Sequence, residues 1–214
     1  MKPVVFARVA DMQYYQGITD EDIPSNGGSY VNKTGLAHEC YNFAPIYQDG
    51  EDYEKCLGFV MMSGGNGADQ LHIEKIPGCE ALKHEDAAYG VTVIFVSKAL
   101  SSKSMRVVGF YKDATVYRYP QYMEFDNGYY QEYLFEAQKE NCVVLPYTER
   151  FSNSQWYVPA STSKYSDFGF GRSNIWFAGS KGASQKECDY VERMLSAIDH
   201  YRGENWMSVA DDEK

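Results

Sequence analysis

Two stretches of the chain carry side chains that could grip a flat group. "FGFGRSNIWFAG" (Phe168 to Gly179) sets glycines at 169 and 171 beside Asn174 and Trp176. Trp, Tyr and Phe rings hold bases and other planar or cationic groups by stacking. An amide such as Asn reads a ligand edge through paired hydrogen bonds, and glycine lets backbone approach closely. "VGFYKDATVYR" adds Phe110, Tyr111 and Tyr117, and "SNGGSYVNKTGLAHECYNF" adds Tyr30, His38, Asn42 and Phe43. Trp156 stands in a polar segment upstream of the first stretch. The expected ligand-binding set is therefore Trp176, Asn174, Tyr111, Tyr117, Phe110, Tyr30, Asn42 and Trp156. Trp176 and Asn174 should line a concave site, with Tyr111 or Tyr117 on its opposite wall. Core is the competing reading at each ring, and it is the favoured one for Phe110. Trp156 and the loop around Tyr30 are the fallback if Trp176 is core.

Catalytic signatures are missing by comparison. "SGGNGAD" lacks the Gly-Lys-Ser/Thr ending of a phosphate loop and the third glycine of a dinucleotide fingerprint. "SDFGFG" imitates a kinase triplet without the catalytic-loop and lysine motifs that must accompany it. His38-Glu39 has no second histidine at zincin spacing, although the two remain an acid/base candidate for a metal-free enzyme. Cys40, Cys56, Cys79, Cys142 and Cys188 are scattered, with no C-x-x-C and no zinc spacing. No catalytic residue, metal site or cofactor is expected.

Strands must position these groups. "VVFARV" reads as a first strand, and "CYNFAPIY", "CLGFVMMS" and the alternating "LHIEKI" as further ones. "YGVTVIFVSKA" is the most continuous apolar run, β-branched and short, so Val91 to Val96 is expected as a central strand buried on both faces. Lys112-Asp113 reads as a two-residue hairpin turn between "MRVVGFY" and "ATVYRY". "YYQEYLFEAQ", "NCVVLPY" and "NIWFAG" supply the remaining strands. One helix is expected from Ser184 to Arg202. Ser184 and Glu187 have capping-box spacing, and Cys188, Val191, Met194, Leu195, Ile198 and Tyr201 recur on one face. The fold class is α+β and mostly antiparallel, a β-barrel or strongly curved sheet with a C-terminal amphipathic helix. Residues 1–203 read as a single domain and 204–214 as an acidic tail.

The chain has 214 residues, 44% hydrophobic and 23% charged, which suits a globular core. Its net charge of −10 repels free nucleic acid unless a basic patch exists, and no Lys/Arg run supplies one. Aromatics reach 15%, with 19 tyrosines, a residue with an apolar face and a polar tip. No signal-peptide core and no membrane-length apolar run appear, so a cytoplasmic protein without membrane contact is expected.

The strings "FARV…YY…GGSYV…HECYNF", "VIFVS…RVVGFYKDATVYR" and "GFGRSNIWFA" resemble a bacterial module found at the N-terminus of modification-dependent restriction and HNH-associated defence proteins. That module is similar to the PUA-like group, which includes EVE and YTH domains. The resemblance runs from Val4 to about Tyr201. It implies a small β-barrel that holds a modified or flipped base in an aromatic cage, carried over here at Phe110, Tyr111, Asn174 and Trp176. No nuclease segment follows the helix and the charge is strongly negative, which speaks against direct cleavage and implies a stand-alone reader, a regulator or a domain cut from something larger. The expected partner is a modified nucleobase, a nucleotide, or single-stranded or flipped-base nucleic acid. Two alternatives stay open: an acidic interaction or inhibitor protein working through its tyrosines, and a nucleotide-processing enzyme using His38 and Glu39.

Overall fold

The computed structural model describes residues 2–25, 38–48, 50–62, 70–98, 104–126, 128–161 and 166–208. Nine strands form one mixed sheet: β1 (Val4–Arg8), β2 (Pro45–Tyr47), β3 (Glu54–Gly58), β4 (Ala87–Lys98), β5 (Met105–Glu124), β6 (Tyr130–Gln138), β7 (Cys142–Val144), β8 (Tyr157–Val158) and β9 (Ile175–Trp176). Among the described residues two α-helices accompany it, α1 (Tyr147–Ser152) and α2 (Gln185–Asp199). The order is β2-β3-β6-β5-β4-β1-β9, with β7 and β8 also on β5. The β1–β4 pair is parallel and the others are antiparallel. Among the described residues β2 and β9 are the two ends of an open path, so the fold is α+β with an open sheet rather than a closed barrel.

Alternation along the strands puts one core on each face. Val5 and Ala7 of β1 belong to one, with Phe43, Phe95, Tyr111 and Phe135. Val4 and Phe6 belong to the other, with Phe110, Trp156 and the inner face of α2. Val91 to Val96 is central as expected, between β1 and β5, and buried on both faces. In α2, Val191, Met194, Leu195 and Ile198 are buried. Ser184 caps the helix by accepting the Glu187 N–H. Glu187 turns its carboxylate to the Gly179 N–H, 3.0 Å away, so the box closes on the preceding loop.

Three expectations differ. Lys112-Asp113 is not a hairpin turn, because β5 runs through it. Asp113 takes φ +51°, and Gly90 takes φ +69° on the facing strand. The registers Ala88↔Val116, Val91↔Ala114 and Val93↔Tyr111 place one extra residue first on β4, then on β5. The two bulges cancel, and the strands stay paired as one long ribbon. "LHIEKI" is not a strand, since Ile73–Lys75 is a 3-10 turn. The acidic tail does not begin at 204. Asn205 caps β7 through the Val144 N–H and the Cys142 carbonyl, Trp206 stacks on Tyr14, and Met207 is buried.

Candidate functional site

β9 pairs Trp176 with Phe6 and Ile175 with Ala7. This brings Arg8 to the loop before β9. Its Nε and Nη2 donate to Asn174 Oδ1 at 3.1 and 2.8 Å, and Nη2 donates to the Arg172 carbonyl at 3.1 Å. Asn174 Nδ2 donates to the Met61 carbonyl at 2.8 Å. Both ends of the amide are engaged, so Asn174 joins loop to sheet and its paired donor–acceptor edge is already in use. Trp176 is half-buried, with ring centroids of Phe6, Phe170, Tyr190 and Phe168 at 4.8, 5.8, 6.0 and 6.3 Å. Gly169 has φ +119°, and a Cβ there would meet the Pro159 carbonyl oxygen at 2.1 Å. That glycine serves loop closure, not ligand entry.

The other expected residues do not gather around Trp176. Tyr111 lies in the opposite core, 4.8 Å from Phe95 and 5.2 Å from Phe43, and its buried hydroxyl has no partner among the described residues. Phe110 and Trp156 are sealed beneath α2, and Trp156 Nε1 donates to Glu149 at 2.9 Å. Asn42 grips Phe59, donating to its carbonyl and accepting its N–H. Tyr30 lies outside the described residues. The expected opposition of Trp176 and Tyr111 across one pocket therefore fails: the residues sit on opposite faces of the sheet.

Tyr117 is different. It lines an open notch of about 640 Å³ with Glu85, Asp86, Ala87, Tyr89, Tyr119 and Gln121. Two irregularities build it. The bulge at Tyr89 and Gly90 turns Tyr89 outward, where it is 73% exposed. β5 then slips against β6 between Val116 and Gln121, across Tyr117, Tyr119 and Pro120. Bulges re-aim side chains, and they recur beside functional sites.

Buried Arg118 fixes the third wall. Its Nε donates to the Glu85 carbonyl, Nη2 to those of Leu82 and Lys83, and Nη1 to Glu74, at 2.8 to 3.1 Å. Its backbone N–H donates to the Asp86 carbonyl. The Tyr117 hydroxyl donates to Glu136 Oε2 at 3.2 Å, and Glu136 Oε1 meets Lys55 Nζ at 3.3 Å. Burial and the Glu136 charge both raise the Tyr117 pKa, so its phenol stays neutral. Gln121 Nε2 donates to the Tyr119 carbonyl. Sequence reasoning found Tyr117 but missed Tyr89, Tyr119, Glu85, Asp86 and Gln121. The available signals were a glycine directly after Tyr89 inside an apolar run, and Pro120 inside a strand.

His38 and Glu39 are both buried, but their side chains go to different neighbours. His38 Nδ1 accepts the Glu132 N–H and the ring lies among Phe59, Tyr129 and Tyr130. Burial lowers its pKa. Burial pushes the Glu39 carboxyl up to about 7, against a hydrogen bond from the Ala10 N–H. Among the described residues no group of three or more His, Cys, Asp or Glu side chains could hold a metal ion, and no helix is long and apolar enough to cross a membrane. Comparison with protein-family models, with curated proteins and with solved structures finds no match to this chain.

Proposed function

We propose that the chain is a binding module of the PUA-like kind whose ligand site is the tyrosine notch. The ligand is a modified nucleobase or nucleotide, taken as a free or unstacked base. The observation that carries this reading is the meeting of Tyr89, Tyr117 and Tyr119 around an open concavity, on backbone that both strands distort to make. Stacking contributes about 1–3 kcal/mol per base, enough to offset unstacking from a single strand. A net charge of −10 and a notch lining with no Lys or Arg among the described residues disfavour long duplexes. The test is calorimetric titration with modified and unmodified nucleosides and short single strands. Tyr89→Ala and Tyr117→Ala should each weaken binding at least tenfold. Unchanged binding in both variants would remove the notch from the reading.

A second reading, a protein-interaction surface, is favoured by the tip of the β5–β6 hairpin. Tyr122 and Tyr130 are 64% and 47% exposed there, backed by Phe125 and by Tyr129 stacked on it at 5.9 Å. Exposed tyrosines of this kind anchor interfaces. Tyr122→Ser with Tyr130→Ser should abolish association with a protein partner and leave nucleoside binding at the notch unchanged.

A further inference from the structure

We infer that the notch selects an organic cation: a ligand whose positive charge is spread over a planar N-alkylated heterocycle or shielded by alkyl groups on an ammonium. The inference rests on the notch reading above and adds its charge requirement. Glu85 and Asp86 line the notch beside the three tyrosines. Both are exposed, and neither has an ion-pair partner among the described residues. Among the described residues no Lys or Arg is in the lining. The Arg118 guanidinium is buried and occupied by three backbone carbonyls and Glu74. Lys83 and His84, adjacent in sequence, are exposed and lie outside the lining.

Aromatic faces attract cations through their quadrupole, most strongly when the cation carries little bound water. A charge spread over a ring or buried under methyl groups meets that condition, while a bare ammonium does not. The hydrogen bond from Tyr117 to Glu136 sharpens the preference. A phenol that donates to a carboxylate gains electron density on its ring. The carboxylates at the rim supply long-range attraction and repel phosphate. A neutral base has only stacking to offer here, and an anionic nucleotide is opposed by the rim. Alkylation that leaves a base positively charged therefore turns a weak ligand into a preferred one.

The experiment compares matched probes on the whole chain at low salt. N7-methylguanosine, a planar cation while N1 keeps its proton, is titrated at a mildly acidic pH that holds that proton, against guanosine, its neutral counterpart. Tetramethylammonium is the compact arm. N7-methylguanosine is expected to bind at least tenfold more tightly than guanosine. Glu85→Gln with Asp86→Asn should reduce that ratio to below about threefold without unfolding, since both side chains are exposed. Tyr89→Ala should weaken both cations. Binding of tetramethylammonium with comparable affinity assigns an alkylated ammonium as the source; strong preference for N7-methylguanosine assigns a base. Equal binding of guanosine and N7-methylguanosine, both lost in Tyr89→Ala, overturns the charge requirement and leaves the notch standing. Binding of neither cation, or binding indifferent to Tyr89→Ala, overturns the inference, and the failure of every nucleoside overturns the notch with it.

Discussion

The edge around Asn174 and Trp176 and the notch around Tyr117 are built from the same materials, aromatic rings with an amide beside a backbone irregularity. They differ in what already touches those groups. At the edge, Arg8 and Met61 occupy both ends of the Asn174 amide, and four rings surround Trp176. At the notch, Tyr89 is mostly exposed, and the two carboxylates at the rim have no ion-pair partner among the described residues. Residue type marks a group as capable of recognition. Only the absence of an internal partner leaves it free to recognise something else.

The largest test of this contrast is Trp176→Ala. If the ring is structural, its loss should cost about 3–4 kcal/mol, near the low end for aromatic truncation because the ring is only half-buried. The denaturation midpoint measures this directly. A cost below about 0.5 kcal/mol would return Trp176 to the list of ligand contacts.

Glu39 extends the contrast to a titratable group claimed by the core. Its carboxyl is held near 7 in the fold against 4.5 outside it. The folded state therefore keeps a proton that the unfolded state releases. Stability should fall as pH rises between about 4.5 and 7, by about 3 kcal/mol in all. Glu39→Gln should remove most of that slope. Denaturant unfolding from pH 4.5 to 8 checks it, and the same slope in wild type and variant would mean that other groups cause it.

Asn174→Ala should cost about 1–2 kcal/mol, because it leaves the partly buried Arg8 guanidinium without its main acceptor. Ligand affinity at the notch should not change. A variant that keeps full stability but loses ligand binding would invert the comparison.

The framework could be read from the sequence where one pattern dominated. The apolar run at Val91 to Val96 announces a strand buried on both faces, and the spacing from Cys188 to Tyr201 announces α2. Both signals are local. Asp113 misled because a left-handed Asp suits a turn and a bulge equally, and only Gly90 on the neighbouring strand distinguishes them. Asn42 and Asn174 misled for a related reason. An amide that latches a distant backbone looks the same in sequence as one that reads a ligand, and Arg8 is 166 residues from Asn174. The notch was hidden because Glu85, Asp86 and Tyr89 meet Tyr119 and Gln121 only after two bulges and the buried Arg118 have placed them.

Tyr89→Ala carries the smallest expected change in stability and the sharpest separation of the two regions. The ring is 73% exposed and projects from a bulge, so its removal leaves no cavity in either core. Stability should move by less than about 0.5 kcal/mol, the usual range for a surface substitution. Gly90 keeps its left-handed backbone and the register of β4 on β5 is unaffected, so the circular dichroism spectrum should match wild type. Ligand affinity should nevertheless fall at least tenfold, because one of three stacking walls is gone. Tyr89→Phe should restore most of it, since the face and not the hydroxyl does the stacking. A variant that is stable, spectrally normal and fully competent to bind would show that the notch is only surface, and the search for a site would return to the edge that Arg8 holds closed.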